Sequence, residues 1–409
     1  MGESTKPSLA LPDKPSIAVL PFQNMSGDPE QEYFADGIAE DIITLLSKSR
    51  GLFVIARNST FTYRGRAINV KTVARELGVR YVLEGSTRKA GNRVRVTAQL
   101  IEAATGGHLW ADRYERDLAD IFAVQDEITA SVSGSILPAM ERSERERAAR
   151  KQPDSLDGWE CYYRGQWHLG KLEPAQNECA RNFFQRAIEL DPGFAAAYSG
   201  IALTYLVDVT VFVSPARRSE FIPRATEHAW RSIEVDPTHA TGHCALSYVL
   251  MLSGRHEEAM AEADIAVSLD PNYAWAYASQ GSARTFGGWP REGIEPLNTA
   301  IRLSPFDPQM ARWLHHLARA HYFLRDYGAA VVIARQACHS FPNYRPTYRA
   351  LIASLGQLGQ VPEAQNVMSD AVARYREDIR FAMVNRMPEL READHVHMME
   401  GYRKAGVIP

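Results

Sequence analysis

Apolar residues change their period several times along this chain, and each change marks a different element. Ile17 to Phe22 is a nearly continuous apolar run of strand length, the pattern of a strand buried on both faces. From Phe34 the spacing becomes four, and Phe34, Ile38, Ile42 and Leu46 share one helix face. Asp28 predicts the cap of that helix, Pro29 its first position and Gln31 the residue three after the cap. Glu30 and Glu32 stand where the helix dipole favours acids. Leu52 to Ala56 predicts a second buried strand, and Val70 to Leu77 a second helix between a capping Asn69 and a closing Gly78. The period then falls to two. Val94, Val96, Ala98 and Leu100 alternate with polar residues, as in a half-buried antiparallel strand. Turns at Gly91-Asn92 and Thr105-Gly106-Gly107 join it to strands at Tyr81–Lys89 and His108–Arg116. A β-α-β-α opening followed by a meander predicts an α/β domain with a mixed sheet.

The helical period returns with Ile121, Val124, Ile128, Val132 and Ile136. Glu141 to Lys151 is a dense run of mixed charge, expected as a solvated helix leading to a linker at Gln152-Pro153. Beyond it a helix stop recurs on a fixed stride. Asp236-Pro237, Asp270-Pro271 and Ser304-Pro305 stand 34 residues apart, and proline ends a helix while pushing the preceding residue out of helical conformation. A stop at that interval marks stacked pairs of short helices. Units end near Pro192, Pro237, Pro271, Pro305 and Pro342, and a sixth runs to about Arg376. Small residues recur in register (Ala259 and Ala266, Gly293 and Ala300, Ala330 and Ala337, Ala364 and Ala371), and Gly254, Gly288 and Gly359 fall at the turn within a pair. The longer interval from Pro192 to Pro237 predicts a loop-like insertion at Val209–Arg218, around Pro215. The expected organisation is a flexible leader over 1–15, the α/β domain over 16–118 and a connecting helix over 119–152. An all-α solenoid over 153–376 and capping helices over 377–409, which would cover its open end, complete it.

Bulk composition narrows the function classes. The net charge of −3 lacks the basic excess that nucleic acid or an anionic membrane calls for. No run approaches 18 apolar residues, so no spanning helix is expected, and polar Met1–Asp13 lacks the apolar core of a signal peptide. A cytoplasmic location is the corresponding expectation. Cys161, Cys179, Cys244 and Cys338 are scattered without a C-x-x-C pair, which disfavours a disulfide framework or a zinc site.

The repeat length, alanine register and terminal proline together make the second half resemble the tetratricopeptide repeat (TPR) family. The first half resembles the TolB-like amino-terminal domain of bacterial signalling proteins. That resemblance rests on Ile17–Phe22 with Asn24 and Ser26–Pro29, Tyr33–Ile38, Ser59–Gly65, Val73–Val79, Tyr81–Ser86 and Gly107–Tyr114. Proteins resembling this arrangement often carry a class III adenylate or guanylate cyclase domain, or a winged-helix DNA-binding domain, in front of it. With 15 residues ahead of the first strand, this chain is expected to carry neither.

Neither a G-x-x-x-x-G-K-[ST] loop nor a G-x-G-x-x-G turn is present, and no paired aspartates on a strand hairpin suggest cyclase chemistry. No catalytic residue, cofactor or metal is therefore expected. Asp36, Glu40 and Asp41 form an acidic group, better read as a solvated helix face. His239 and His243 have ligand spacing on a helix but no completing acid or thiol. His256 lacks the second histidine of a zinc-protease motif, and His315, His316 and His321 are better read as packing or groove residues. Arg88, Lys89, Arg93 and Arg95 concentrate charge on one hairpin, a shape that can enter a DNA groove, yet the alternation puts Arg93 and Arg95 on the solvent face any such strand needs. The remaining candidate follows from the resemblance, which implies that the first helix of each pair lines a concave groove. Its outward positions hold Tyr248, Met251, Trp275, Arg312, His315, Arg319, Tyr322 and Arg349. Aromatics at one end and arginines at the other suit a protein or peptide segment of acidic character. The sequence thus reads as an interaction scaffold. Its alternatives are the regulatory half of a cyclase system and a small-ligand sensor using the loop Gln23–Asp28.

Overall fold

The computed structural model describes residues 11–28, 31–49, 51–66, 69–117, 121–152, 156–212, 215–304, 307, 309–375 and 391–409. The chain divides into two compact units, Met1–Lys151 and Gln152–Pro409.

The first unit is built on a six-stranded mixed sheet. Its strands are β1 (Ser16–Val19), β2 (Gln23–Asn24), β3 (Phe53–Val54), β4 (Tyr81–Ala90), β5 (Arg93–Glu102) and β6 (Gly107–Asp117). They run in the order β3-β1-β4-β5-β6, with β2 also on β4. The short strands pair in parallel and β4, β5 and β6 antiparallel. All four residues of β1 are buried, as its unbroken apolar run requires, and β5 alternates buried with exposed. Helices α1 (Glu32–Ser47) and α4 (Ile121–Arg150) share one core with the sheet, including Ile38, Ile42, Val96, Leu100, Ile128 and Val132. Helix α3 (Val70–Leu77) contributes to a smaller core with Ala18 and Val82. Its boundaries follow the local chemistry: the Asn69 side chain accepts the Lys71 amide at 2.8 Å, and Gly78 takes the left-handed conformation at φ 65°.

Several expectations need correction here. Helix α1 begins at Glu32 with Gln31 at its cap, and Pro29 and Glu30 lie outside the described residues. Only Phe53 and Val54 of the second apolar run pair as a strand, followed by the four-residue helix α2 (Arg57–Thr60). The loop after β1 is partly a strand, because Gln23 and Asn24 pair with Ser86 and Thr87. Helix α4 is more than a connection, since it fills the core under α1. Nor is its charged end wholly solvated. Glu144 is fully buried, accepts a 2.8 Å hydrogen bond from the Tyr81 hydroxyl and faces Arg80 at 3.5 Å. The helix continues past Met140 to Arg150, so its inward stripe, which includes buried Ala148, continues into charged sequence. Burial first, and the Glu144 charge second, hold the Tyr81 hydroxyl far above its ordinary pKa.

The second unit is a stack of antiparallel helix pairs. The first helices are α5 (Gly158–Leu169), α7 (Ala195–Val207), α9 (Ala240–Leu252), α11 (Ala274–Gly287), α13 (Met310–Phe323) and α15 (Pro346–Gln357). Their partners are α6 (Pro174–Leu190), α8 (Pro215–Val235), α10 (His256–Leu269), α12 (Pro290–Leu303), α14 (Tyr327–Ser340) and α16 (Val361–Tyr375). The in-register alanines, Ala259, Ala266, Ala300, Ala330, Ala337, Ala364 and Ala371, are all buried. At the tightest pair the backbones nearly touch: a Cβ on either Gly281 or Gly293 would stand 2.6 Å from the other's carbonyl oxygen. A further helix, α17 (Glu392–Lys404), packs on α15, and a Cβ on Gly356 would collide with the Gly401 carbonyl. Residues 376–390, within the expected cap, lie outside the described residues.

The described part of the expected insertion loop is helical instead: helix α7 runs on into a π-helical turn, Asp208–Phe212, and α8 starts at Pro215, while residues 213 and 214 lie outside the described residues. Proline is well suited to a first helical position, and here it marks a helix start. Val207 and Val211 form one apolar cluster with Ala311 and Tyr344, flanked by Leu169 and Phe341. This cluster ties the first two pairs to the fifth and sixth. By length and composition alone, the combined helix Ala195–Phe212 is apolar enough to cross a membrane. With 78% of it buried inside the structure, it has the character of a core helix.

Gly293→Ala should lower stability by about 1–3 kcal/mol, because the added methyl meets a backbone carbonyl that cannot move aside. Gly328→Ala, in α14 with open space around it, should raise stability by about 0.5–1 kcal/mol. Urea midpoints of the two variants check the pair of signs.

Candidate functional site: the inner face of the first helices

Helix α13 reads Met-Ala-Arg-Trp-Leu-His-His-Leu-Ala-Arg-Ala-His-Tyr-Phe. Arg312, His315, Arg319 and Tyr322 recur at steps of three and four, so they share one helix face. That face meets other first helices. The Arg312 guanidinium lies 4.7 Å from the centre of the Tyr248 ring of α9, and that of Arg319 lies 5.4 Å from Phe286 of α11. His315 packs edge-on against Tyr344 at 5.9 Å. His316 sits between Tyr248 and Phe286, with Ser282 Oγ 2.5 Å from its Nδ1.

The expected groove residues are therefore placed differently from an open surface. Tyr248, Met251, Trp275, Arg312, His315, Arg319 and Tyr322 are all buried, and Arg349 alone of the eight is half-buried. Two physical causes act. Successive first helices pack against one another, which covers Tyr248, Met251 and Trp275. The capping helix then covers Tyr322, whose hydroxyl donates to the His397 carbonyl at 2.7 Å while its ring stacks on His397 at 4.6 Å. Met251, Trp275 and Tyr322 are packing residues. Tyr248, Arg312, His315, Arg319 and Arg349 belong to one electrostatic group.

That group also contains His316, Tyr344 and Tyr402, which the groove positions did not include. The Pro-Asn-Tyr turns at Pro271–Tyr273 and Pro342–Tyr344 were a usable signal for Tyr344, whereas Tyr402 arrives from the cap. Within the group charge is tightly constrained. Burial opposes ionisation of Arg312, but Tyr248, Tyr344 and the Asp307 carboxylate outweigh it, so its pKa moves upward. His315 is held well below its usual pKa, first by burial and then by Arg319, His316, Arg349 and Arg312. His316 is lowered by burial and by Arg312 and Arg319. Both imidazoles are neutral beside fixed cations.

The other candidates resolve into structural contacts. Asp36 pairs with Arg64, Glu40 with Arg57 at 3.0 Å, and Asp41 with Gln125, so the three acids serve separate partners. Arg93 and Arg95 both bind Glu115, at 3.0 and 2.8 Å. The loop after β1 is closed on itself: the Ser26 amide donates to Asn24 Oδ1, Asn24 Nδ2 to the Asp28 carbonyl, and Ser26 Oγ accepts the Lys89 amide. His239 heads α9 at its cap. His243 has Glu262 at 2.7 Å from Nδ1 and the Pro237 carbonyl at 3.0 Å from Nε2. Two acceptors on two ring nitrogens select the imidazolium. Burial pushes its pKa down, but the bonds to Glu262 and Pro237 and the Glu262 charge prevail, and the net shift is upward.

Comparisons with known proteins fall on both units. A family model described as the second domain of HilA/YgeH-like transcriptional regulators matches residues 13–130. "Putative adenylate cyclase 3" of Rhizobium meliloti (strain 1021) is 45% identical over 258 residues, covering 63% of this chain and 43% of that protein. The chain thus spans less than half the length of this curated relative. Among solved structures, a thermophilic TPR protein of Thermus thermophilus matches with a TM-score of 0.39 and 17% identity over 48% of this chain and 98% of that one. TolB from Acinetobacter baumannii matches with a TM-score of 0.24 and 20% identity over 32% and 29%.

The His243–Glu262 pair gives the second unit a pH-dependent stability. Because the folded pKa is raised above the unfolded value of about 6.5, the contribution is complete below that pH and is lost as pH rises through the folded value. Thermal melts across that window should fall with pH in the native chain, and the slope should flatten in His243→Gln.

Proposed function

We propose that this chain is a non-catalytic interaction scaffold of a bacterial signalling system, holding a protein segment of acidic character on its solenoid. The observation that carries the proposal is the shared inner wall of the first helices, where buried Arg312 and Arg319 and half-buried Arg349 gather around His315. Stacked helix pairs present long surfaces of this kind, and partners use them through repeated side-chain contacts. Half-buried Arg349 is the member a partner reaches first. From it, the field of the two deeper arginines favours acidic groups over neutral or basic ones. The first unit, TolB-like in its sequence, would link the solenoid to the rest of the system.

A second reading has one observation in its favour. Likeness to a protein named as a putative adenylate cyclase suggests that the chain corresponds to the regulatory part of a cyclase system. In that reading the acidic segment belongs to the cyclase.

Capture of partners from a bacterial lysate by immobilised chain tests the scaffold. Arg349→Glu should weaken capture by about tenfold or more, and Arg335→Glu, on an exposed residue paired with Glu363, should leave it unchanged. Equal capture by both variants would refute the inner wall as the binding surface. Formation of cyclic nucleotide from ATP or GTP by the purified chain would refute the non-catalytic role.

A further inference from the structure

The geometry points to an oxyanion-binding site on the inner face of α13, in which Arg312 and His315 receive a phosphate-type or carboxylate group. This rests on the reading of the first helices as the ligand-bearing wall and names the chemical group that wall takes.

Arg312 is 7% exposed, and its Nε and Nη1 have no hydrogen-bond acceptor among the described residues. A guanidinium cannot escape burial by losing its proton, so an uncompensated one is among the most unfavourable groups a fold can hold. Its neighbours compensate only in part: Tyr344 acts on it by charge and by a side-chain hydrogen bond, and Nε and Nη1 are still left without an acceptor among the described residues. The Tyr248 ring offers its face at 4.7 Å, which attracts the charge but leaves those two nitrogens without acceptors. Asp307 acts on Arg312 electrostatically, yet its oxygens take the Ser304 hydroxyl at 3.1 Å and the Gln309 amide at 2.8 Å. They do not reach Nε or Nη1.

The surroundings are rich in donors. One turn along, His315 is 4% exposed and its Nδ1 also lacks a partner among the described residues. Burial first, and then Arg319 and Arg349 among its neighbours, hold the same imidazole neutral, so it can still turn an N–H toward an anion. The Tyr402 hydroxyl, buried with no hydrogen-bond partner among the described residues, lies within the field of those two arginines. Guanidinium forks, an imidazole N–H and a phenol call for an acceptor with several oxygens and negative charge. Phosphate and carboxylate have that geometry, and the arginine fork matches either in two parallel bonds. Burial of Arg312 and His315 selects a compact group over a broad surface.

Thermal melting of the full chain tests the site, with inorganic phosphate in one arm and hexaglutamate peptide in the other. Both arms are compared with chloride at equal ionic strength, because phosphate also stabilises proteins by exclusion. Wild type and Arg335→Met should gain several degrees from at least one probe, and Arg312→Met should gain much less. Without either probe, Arg312→Met should melt above wild type, since an unpaired buried charge gives way to an apolar chain of similar length. His315→Phe keeps every charge and should reduce the probe-induced shift, a second reading if Arg312→Met fails to fold. An Arg312-dependent shift with phosphate alone assigns the oxyanion to a free phosphate-type ligand; one with hexaglutamate alone assigns it to a partner's carboxylates. Shifts that ignore both substitutions, or Arg312→Met melting below wild type without probe, would overturn the site. Arg349-dependent partner capture with no such shift would sink this inference and spare the scaffold. The reverse result would spare the site and sink the scaffold.

Discussion

Close backbone contact between paired helices is the constraint on which the second unit depends. Where Gly281 and Gly293 face each other there is no room for a single methyl, and the buried alanines of the other pairs keep helices nearly as near. Helices brought that close bury their facing sides completely. Repetition every 34 residues then stacks pair on pair. Successive first helices touch, and the π turn at Asp208–Phe212 joins an apolar cluster with Ala311 and Tyr344. The side of the first helices expected to line an open groove becomes interior.

Placing cations in that interior sets hydrophobic packing against electrostatics. Methyl-scale packing stabilises the stack, whereas a buried guanidinium with two nitrogens short of acceptors destabilises it. The cluster around Arg312 keeps its charge because tyrosine faces and a nearby carboxylate favour the ion, while the neighbouring histidines give up theirs. In the first unit a comparable problem has a complete local solution. Glu144 is buried, but Tyr81 and Arg80 both reach it. The contrast between a satisfied buried charge and a partly satisfied one is what the proposed oxyanion site on the inner face of α13 rests on.

Much of this was legible in the sequence wherever a local rule acts alone. Asn69 and Gly78 bound α3 because capping and left-handed glycine are local chemistry. The alternation of Val94, Val96, Ala98 and Leu100 determined which face of β5 is buried. Packing between successive pairs is not local, so the sequence could assign Tyr248, Arg312 and Arg319 to one side of their helices without revealing that this side is covered. Tyr322 was misread for a similar reason, since α17 reaches it from 75 positions away. Pro215 misled because proline marks helix starts as readily as loops. Glu144 lay hidden in a charged run, since the reach of Tyr81 and Arg80 from elsewhere in the fold, added to neighbouring Arg147, makes burial of an acid tolerable there.

The central claim is that Arg312 and Arg319 are interior cations while Arg349 stands at the edge. Arginine-specific modification with phenylglyoxal, followed residue by residue by mass spectrometry on the native chain, addresses it directly. The account predicts rapid modification of exposed Arg335, intermediate modification of Arg349 and near-complete protection of Arg312 and Arg319 until the chain is unfolded. Modification of Arg312 at the rate of Arg335 in the folded protein would contradict it.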